Sequence, residues 1–142
     1  MVSENQAALK ERLERLNFLW DALHDEFREI NPPIESWVTY DENPNDPEEC
    51  SRIGFGKING KWGIYTAEYR RSHDPEFDIC RTELKSIKDC RAEMRVYLVQ
   101  FVPELRAEVE ASFAKFIERT DKAIESLESQ LDLTGFVNEA SA

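Results

Sequence analysis

Two histidines and three cysteines are the residues of this 142-residue chain best suited to hold a metal or to carry out catalysis. They are His24, His73, Cys50, Cys80 and Cys90. A zinc site built from His73 and the cysteines would have gaps of 22, 6 and 9 residues, which resemble no closed ligand pair. The chain also lacks HExxH, GxSxG and CxxC motifs. We therefore predict that it is not an enzyme and has no metal or cofactor.

An acidic segment, DENPNDPEEC, invites comparison with a calcium-binding loop. Asp41, Asn43 and Asn45 match the first three ligand positions of such a loop. The sixth position is Asp46, where the loop needs glycine, and the twelfth is Arg52, where it needs a glutamate. We therefore predict a solvated connection at this segment.

Four of the five glycines fall within RIGFGKINGKWG, a stretch that could suggest a phosphate-binding loop. A P-loop needs G-x-x-x-x-G-K-[ST] between a strand and a helix, and a kinase loop needs G-x-G-x-x-G. Neither pattern matches. Asn59-Gly60 instead predicts a type I′ hairpin between two strands.

That hairpin determines which residues face each other. The expected pairs are Ile58 with Lys61, Lys57 with Trp62, Gly56 with Gly63, Phe55 with Ile64, Gly54 with Tyr65, and Ile53 with Thr66. One face is apolar and suited to a core, with Ile53, Phe55, Trp62 and Ile64. The other carries the glycines, flanked by Ile58, Tyr65, Ala67 and Tyr69. We interpret the glycines as positions that neighbouring groups approach closely. The alternative is a flat ligand on Gly54, Gly56 and Gly63 between Tyr65 and Tyr69.

A helix is predicted before the strands, from about Ser3 to Ile30. Its apolar residues recur at steps of four and three: Leu9, Leu13, Leu16, Trp20, Leu23, Phe27 and Ile30. Ser3 with Gln6 predicts a capping box, and Asn31-Pro32-Pro33 ends the helix. Phe18 and Leu19 lie off this stripe, so we expect the helix to bury a second face against a sheet.

A long helix is predicted at the C-terminal end, beginning near Thr82 or Ser86. Its apolar stripe comprises Leu84, Ile87, Cys90, Met94, Leu98, Phe101, Leu105, Val109, Phe113, Phe116, Ile124, Leu127 and Leu131. Pro103 should kink or divide it. Uninterrupted, it would run about 75 Å, far beyond the first helix. Either it folds back at Pro103, or its distal part needs another chain to cover it.

The elements together predict an α+β fold. An N-terminal helix precedes a three-stranded antiparallel meander at about 36–41, 52–58 and 61–70, and the long helix packs in coiled-coil fashion. Residues 1–135 should form one domain and residues 136–142 a loose tail after a stop signal at Gly135. The order of elements and the low pI resemble small acidic secretion chaperones, although the strands expected after their second helix are missing.

The charge pattern favours a protein partner over nucleic acid, because a net charge of −11 repels phosphates. Five basic residues share one strip of the predicted long helix: Arg81, Lys85, Lys88, Arg91 and Arg95. Eight acids follow between positions 104 and 132, an order that opposes the helix macrodipole. The acids at the end of the first helix, or a second copy of the long helix running antiparallel, would compensate.

Composition favours a folded cytoplasmic protein that does not enter a membrane. The chain is 41% hydrophobic and 33% charged, and it has no apolar run of membrane-spanning length. Its start lacks the pattern of a signal peptide, and an odd number of cysteines is typical of a reducing compartment.

We expect a non-catalytic interaction or assembly module that forms a homodimer through its long helices and binds a protein partner. The expected contact residues are the five basic residues together with Val109, Phe113, Phe116, Ile124 and Leu127. Two alternatives remain open. One is an acidic inhibitor or nucleic-acid mimic that acts on a basic partner. The other is a small ligand-binding domain that uses the glycine-rich sheet face.

Overall fold

The computed structural model describes residues 3–72 and 78–131. The chain forms α1 (Glu4–Ile30), then a sheet of β1 (Ser36–Asn43), β2 (Asp46–Ile58), β3 (Lys61–Arg71) and β4 (Ile79–Ser86). A 3₁₀ turn (Ile87–Asp89), α2 (Ala92–Tyr97), a second 3₁₀ turn (Leu98–Phe101) and α3 (Val102–Leu131) follow. The strands pair antiparallel in the order β1-β2-β3-β4. The predicted α+β class is confirmed: along the chain, an N-terminal helix is followed by an antiparallel sheet and then by a long C-terminal helix. The predicted tail at 136–142 and the stop at Gly135 lie outside the described residues.

The ends of α1 follow from its flanking residues. The backbone N–H of Gln6 donates to the Ser3 hydroxyl at 3.1 Å, and the Ser3 N–H donates to the Gln6 side chain at 2.8 Å, which is the predicted capping box. Asn31 ends the helix in the left-handed conformation with φ 52°, and its N–H donates to the Phe27 carbonyl. The prolines that follow prevent continuation of the helix.

The central hairpin has the predicted register throughout, from Ile53 opposite Thr66 to Ile58 opposite Lys61. Its turn residues, Asn59 and Gly60, have φ values of 50° and 80°, as a type I′ turn requires. A two-residue turn sets every pair that follows it, and the sequence therefore determined both faces of this ribbon.

The acidic segment, predicted to be a solvated connection between strands, instead forms a second tight hairpin from the end of β1 to the beginning of β2. β1 extends to Asn43 and β2 begins at Asp46, so only Pro44 and Asn45 form the turn. The Asn45 N–H donates to the Asn43 side chain at 2.9 Å, a local bond that favours a turn. No group of three or more potential metal ligands forms within residues 3–72 and 78–131.

A fourth strand replaces the beginning of the predicted long helix, and the three-stranded meander was therefore wrong. β4 pairs with β3, with Leu84 opposite Ala67. Leu84 and Ile87 have helical spacing, but Leu84 lies on the sheet while Ile87 enters the core after the Ser86 hydroxyl caps a 3₁₀ turn. The apolar spacing was therefore produced by a strand followed by a turn.

The predicted long helix is also divided close to Pro103, the residue at which the sequence predicted a kink or break. The 3₁₀ turn Leu98–Phe101 separates α2 from α3, and Pro103 is the second residue of α3. Proline is accommodated in the first turn of a helix because N–H groups there have no intrahelical partner. α3 alone has 30 residues, a length of about 45 Å.

One core joins both long helices to one sheet face. Its buried members are Trp20, Leu23, Phe27, Val38, Ile53, Phe55, Ile64, Ile87, Cys90, Leu98, Leu105 and Val109. The rings of Phe27 and Phe55 meet at a centroid distance of 5.4 Å, and the Ser36 hydroxyl donates to the Glu108 carbonyl on α3. Phe18 and Leu19 are 60% and 47% exposed, so the predicted second buried face of α1 was wrong.

Candidate protein interaction surface

α3 changes character between its two halves. Leu105, Val109 and Ser112 are buried in the first half, where the helix lies on β1 and β2. Every residue from 113 to 131 is exposed, so the second half extends about 28 Å beyond the core. Val109, one of the predicted contact residues, therefore lies in the chain's own core, while the others on α3 lie on the free half.

The free half carries a line of large apolar side chains, interrupted at Thr120 and here named the distal stripe. Its members are Phe113, Phe116, Ile117, Ile124, Leu127 and Leu131. Each is between 42% and 60% exposed. Successive positions along this line are separated by 4, 3, 4, 3 and 4 residues, which is the spacing of a coiled-coil seam. The positions are Phe113, Ile117, Thr120, Ile124, Leu127 and Leu131. A row of this length that no other element within residues 3–72 and 78–131 covers is typical of an interaction surface.

Charges beside the distal stripe are close to balanced. Lys115, Arg119 and Lys122 stand against Glu118, Asp121, Glu125 and Glu128, a net of 3 − 4 = −1. Lys122 pairs with Glu118 at 3.2 Å, one turn away on the same helix. Two copies of this half would therefore approach each other with little net repulsion, in spite of the acidic whole chain.

A shallow apolar cleft of about 310 Å³ lies between α1 and the start of α3. Its lining residues are Leu16, Leu19, Trp20, Ala22, Leu23, Glu26, Val99, Val102 and Arg106. Arg106 and Glu26 form an ion pair beside it, and Leu19 and Val99 are 47% and 44% exposed. This is a second apolar surface, and it is separate in sequence from the distal stripe.

The five predicted basic contact residues do not form one helical strip, because residues 79–86 are a strand. Arg81 and Lys85 lie on β4, Lys88 in the 3₁₀ turn, Arg91 just before α2, and Arg95 within α2. Lys88 pairs with Asp21 of α1 at 2.7 Å, so the acidic end of α1 does compensate part of this charge. Lys85 pairs with Glu83 at 2.6 Å.

The glycine-rich sheet face is covered by the chain's own side chains. Trp37 of β1 lies over Gly54 and reaches Gly56, where the Glu35 carboxylate also sits. Glu35 accepts a bond from the Lys57 N–H at 3.2 Å. A ligand on this face would meet the Trp37 ring before the glycine backbone.

Tyr65 covers the remaining glycine of this face. Its ring lies 3.1 Å from the position that a Cβ of Gly63 would take, and its hydroxyl donates to the Lys61 carbonyl. Tyr69 lies farther along the strand, with the Arg52 guanidinium 5.0 Å from its ring centroid. The sequence did not point to Trp37, although pairing of β1 with β2 places it opposite Gly54.

Acidic residues of β2 hold the end of β3 through Arg71. Its guanidinium donates to Asp46 at 2.8 Å and to Glu48 at 2.9 Å, and its backbone N–H donates to Glu49 at 3.0 Å. The bond from Arg71 holds the pKa of Asp46 below its usual value, and the Arg71 N–H lowers the pKa of Glu49. These charges are structural links between strands.

The remaining candidate groups for chemistry lie apart. His24 packs edge-on against Phe55 at 6.0 Å. Cys50 and Cys90 are buried free thiols and Cys80 is an exposed one. His73 lies outside the described residues. Within residues 3–72 and 78–131, no helix combines the length and the apolar character needed to cross a bilayer.

Comparisons with protein-family models, curated proteins and solved structures find no match to this chain.

Proposed function

We propose that this protein is a non-catalytic assembly module that forms a homodimer by coiled-coil pairing of the free halves of α3. The observation that carries the proposal is the distal stripe, in which six large apolar side chains stay about half exposed. A monomer in water would leave this row uncovered, and a symmetric second copy is the commonest way to cover one.

The area of the distal stripe is sufficient for such a dimer. A large apolar side chain has a surface of roughly 200 Å², so six half-exposed ones present about 600 Å² per copy. Two copies would bury about 1,200 Å² in total, which is the lower end of the range for specific interfaces. The seam spacing supports pairing in coiled-coil fashion, and the near balance of flanking charge permits it.

The proposal leaves other surfaces for a separate protein partner. The apolar cleft between α1 and α3 lies outside the distal stripe, as do Arg81 and Arg91. We propose the cytoplasm as the compartment, because the three cysteines are free thiols.

Two matched variants test the proposal. Ile124→Glu with Leu127→Glu places two charges within the distal stripe, while Ser126→Glu with Ser129→Glu places the same two charges on the same helix outside it. Molar mass is measured by light scattering after size exclusion. We expect a dimer for the unchanged chain and for the serine variant, and a monomer for the apolar variant. Equal masses for the two variants would contradict the proposal.

A further inference from the structure

A third surface feature is a cleft of about 500 Å³ between the helix side of the sheet and α2. This volume lies within the range of small-molecule sites. Its lining residues are Tyr40, Thr66, Glu68, Glu83, Lys85, Cys90, Arg91, Glu93, Met94 and Tyr97. The cleft shares no residue with the distal stripe, so an inference about it does not rest on the proposed function.

Two of the carboxylates that line this cleft lie on neighbouring strands. Glu68 of β3 lies directly opposite Glu83 of β4. Like charges opposed on neighbouring strands are destabilising unless nearby cations offset them. Lys85, at 2.6 Å, holds the pKa of the Glu83 carboxyl below its usual range. Glu83 is therefore neutralised from within the chain.

Glu68 is neutralised less completely. Its nearest cation, Arg70, is 3.8 Å away and is not part of the cleft. Glu93 adds another carboxylate, and it forms no hydrogen bond or ion pair with the described residues. Arg91 is likewise unpaired in that part of the chain. The lining of the cleft as a whole carries three carboxylates against two cations, a net of 2 − 3 = −1.

Two aromatic rings line the same cleft as these carboxylates. Tyr40 and Tyr97 meet at a centroid distance of 6.3 Å with their planes 74° apart, and Met94 lies beside them. Burial raises the pKa of the Tyr40 hydroxyl, so this ring stays neutral at physiological pH. Neutral aromatic faces attract cations through the ring quadrupole, and near-perpendicular rings can contact a compact cation on two sides.

We infer that the cleft binds a compact organic cation, an alkylammonium group whose charge lies between Glu68 and Glu93 and whose alkyl groups contact Tyr40 and Tyr97. The ammonium pairs with Glu93 and adds to Arg70 in offsetting the charge of Glu68. Thr66 and the Lys85–Glu83 pair also line the cleft. An anion is disfavoured, because the lining has a net negative charge and one of its two cations, Lys85, is already paired with Glu83.

Choline and 3,3-dimethyl-1-butanol are suitable probes, because they have nearly the same shape and differ in charge. Each is titrated into the full chain at constant ionic strength, and binding is followed by NMR shifts of the tyrosine ring protons. We expect saturable binding of choline at least about tenfold tighter than binding of the neutral alcohol. Sodium acetate is titrated in the same way and is expected to leave these signals unchanged.

Substitutions at exposed or half-exposed positions test whether choline binds in this cleft. Glu68→Gln and Tyr97→Leu should each weaken choline binding about fivefold or more. Glu110→Gln removes one exposed carboxylate from α3, outside the cleft, and should leave binding unchanged. Equal binding of choline and the alcohol, full affinity in both cleft variants, or acetate binding that depends on Glu68 would each overturn the inference.

Discussion

Alanine at Gly54 should destabilise the protein more than alanine at the other two glycines of that sheet face. A Cβ there would overlap the six-membered ring of Trp37 and lie 2.5 Å from the Ser36 carbonyl oxygen. The Trp37 side chain could rotate away, but Ser36 is held in the β1–β2 ladder opposite Phe55. Part of the clash therefore has to be absorbed by the backbone.

The expected magnitudes follow from which group must move. Overpacking against a fixed group costs about 1–3 kcal/mol, and displacement of Trp37 adds to it, so we expect about 3 kcal/mol for Gly54→Ala. At Gly56 the nearest group is the flexible Glu35 carboxylate, whose lost bond to Lys57 costs about 1 kcal/mol. At Gly63 only the Tyr65 ring must shift, and the cost should be smaller still.

Urea unfolding followed by far-ultraviolet circular dichroism measures these differences, with all variants at one protein concentration because the stability of any self-associating protein depends on concentration. Trp37→Ala completes a double-mutant cycle with Gly54→Ala. We expect a coupling of about 1–2 kcal/mol, since the removed ring can no longer clash while the Ser36 contact remains. A cost below about 0.5 kcal/mol for Gly54→Ala, or equal costs at all three glycines, would refute the packing explanation and favour the ligand alternative for this face.

Three further expectations concern the core, the thiols and the acidic hairpin. Leu105→Ala should lower the free energy of unfolding by about 2–5 kcal/mol, whereas Leu127→Ala should change it by less than about 0.5 kcal/mol in urea titrations at dilutions that keep the chain monomeric. Cys80 should react with Ellman's reagent in the native protein, while the two buried thiols react only in denaturant, and three fast thiols would contradict the burial. Because Arg71 lowers the folded-state pKa of Asp46 below its unfolded value, this stabilisation is present at neutral pH and is lost as the pH falls through the folded pKa. Asp46→Asn should therefore show a smaller drop in Tm between pH 6 and pH 3 than the unchanged chain, and equal drops would refute the link.

The features predictable from the sequence are those set by local chemistry. The capping box at Ser3 and the end of α1 at Asn31 depend on neighbouring residues, and both were predicted. Asn59-Gly60 determined the register of the central hairpin, since a two-residue turn leaves only one pairing. These signals act within a few residues of the chain.

The errors arose where tertiary pairing outweighed local pattern. Residues 82–86 carry apolar and charged residues at helical spacing, yet β3 offers an unpaired strand edge and the segment pairs with it. The acidic segment after Tyr40 similarly looked like a loop, yet its two halves pair across β1 and β2, and the Asn43 side chain donates to Glu49 at 3.0 Å. Neither effect is visible without the partner strand.

The two candidate surfaces also differ in how far the sequence could predict them. The distal stripe could be anticipated from periodicity, which predicted Phe113, Phe116, Ile124 and Leu127, although the exposure of Ile117 and the burial of Val109 required the structure. The cleft beside α2 could not be anticipated, because it depends on Glu68 facing Glu83 across a strand pair that the sequence pattern did not reveal.

Sedimentation equilibrium of the unchanged chain across a range of concentrations tests the central claim most directly. The account predicts a mass that approaches 2 × 16.6 = 33.2 kDa as concentration rises, and a return to 16.6 kDa when Ile124 and Leu127 are both changed to glutamate. A mass that stays at 16.6 kDa up to about 100 μM, a concentration at which even micromolar dimers would be populated, would contradict it.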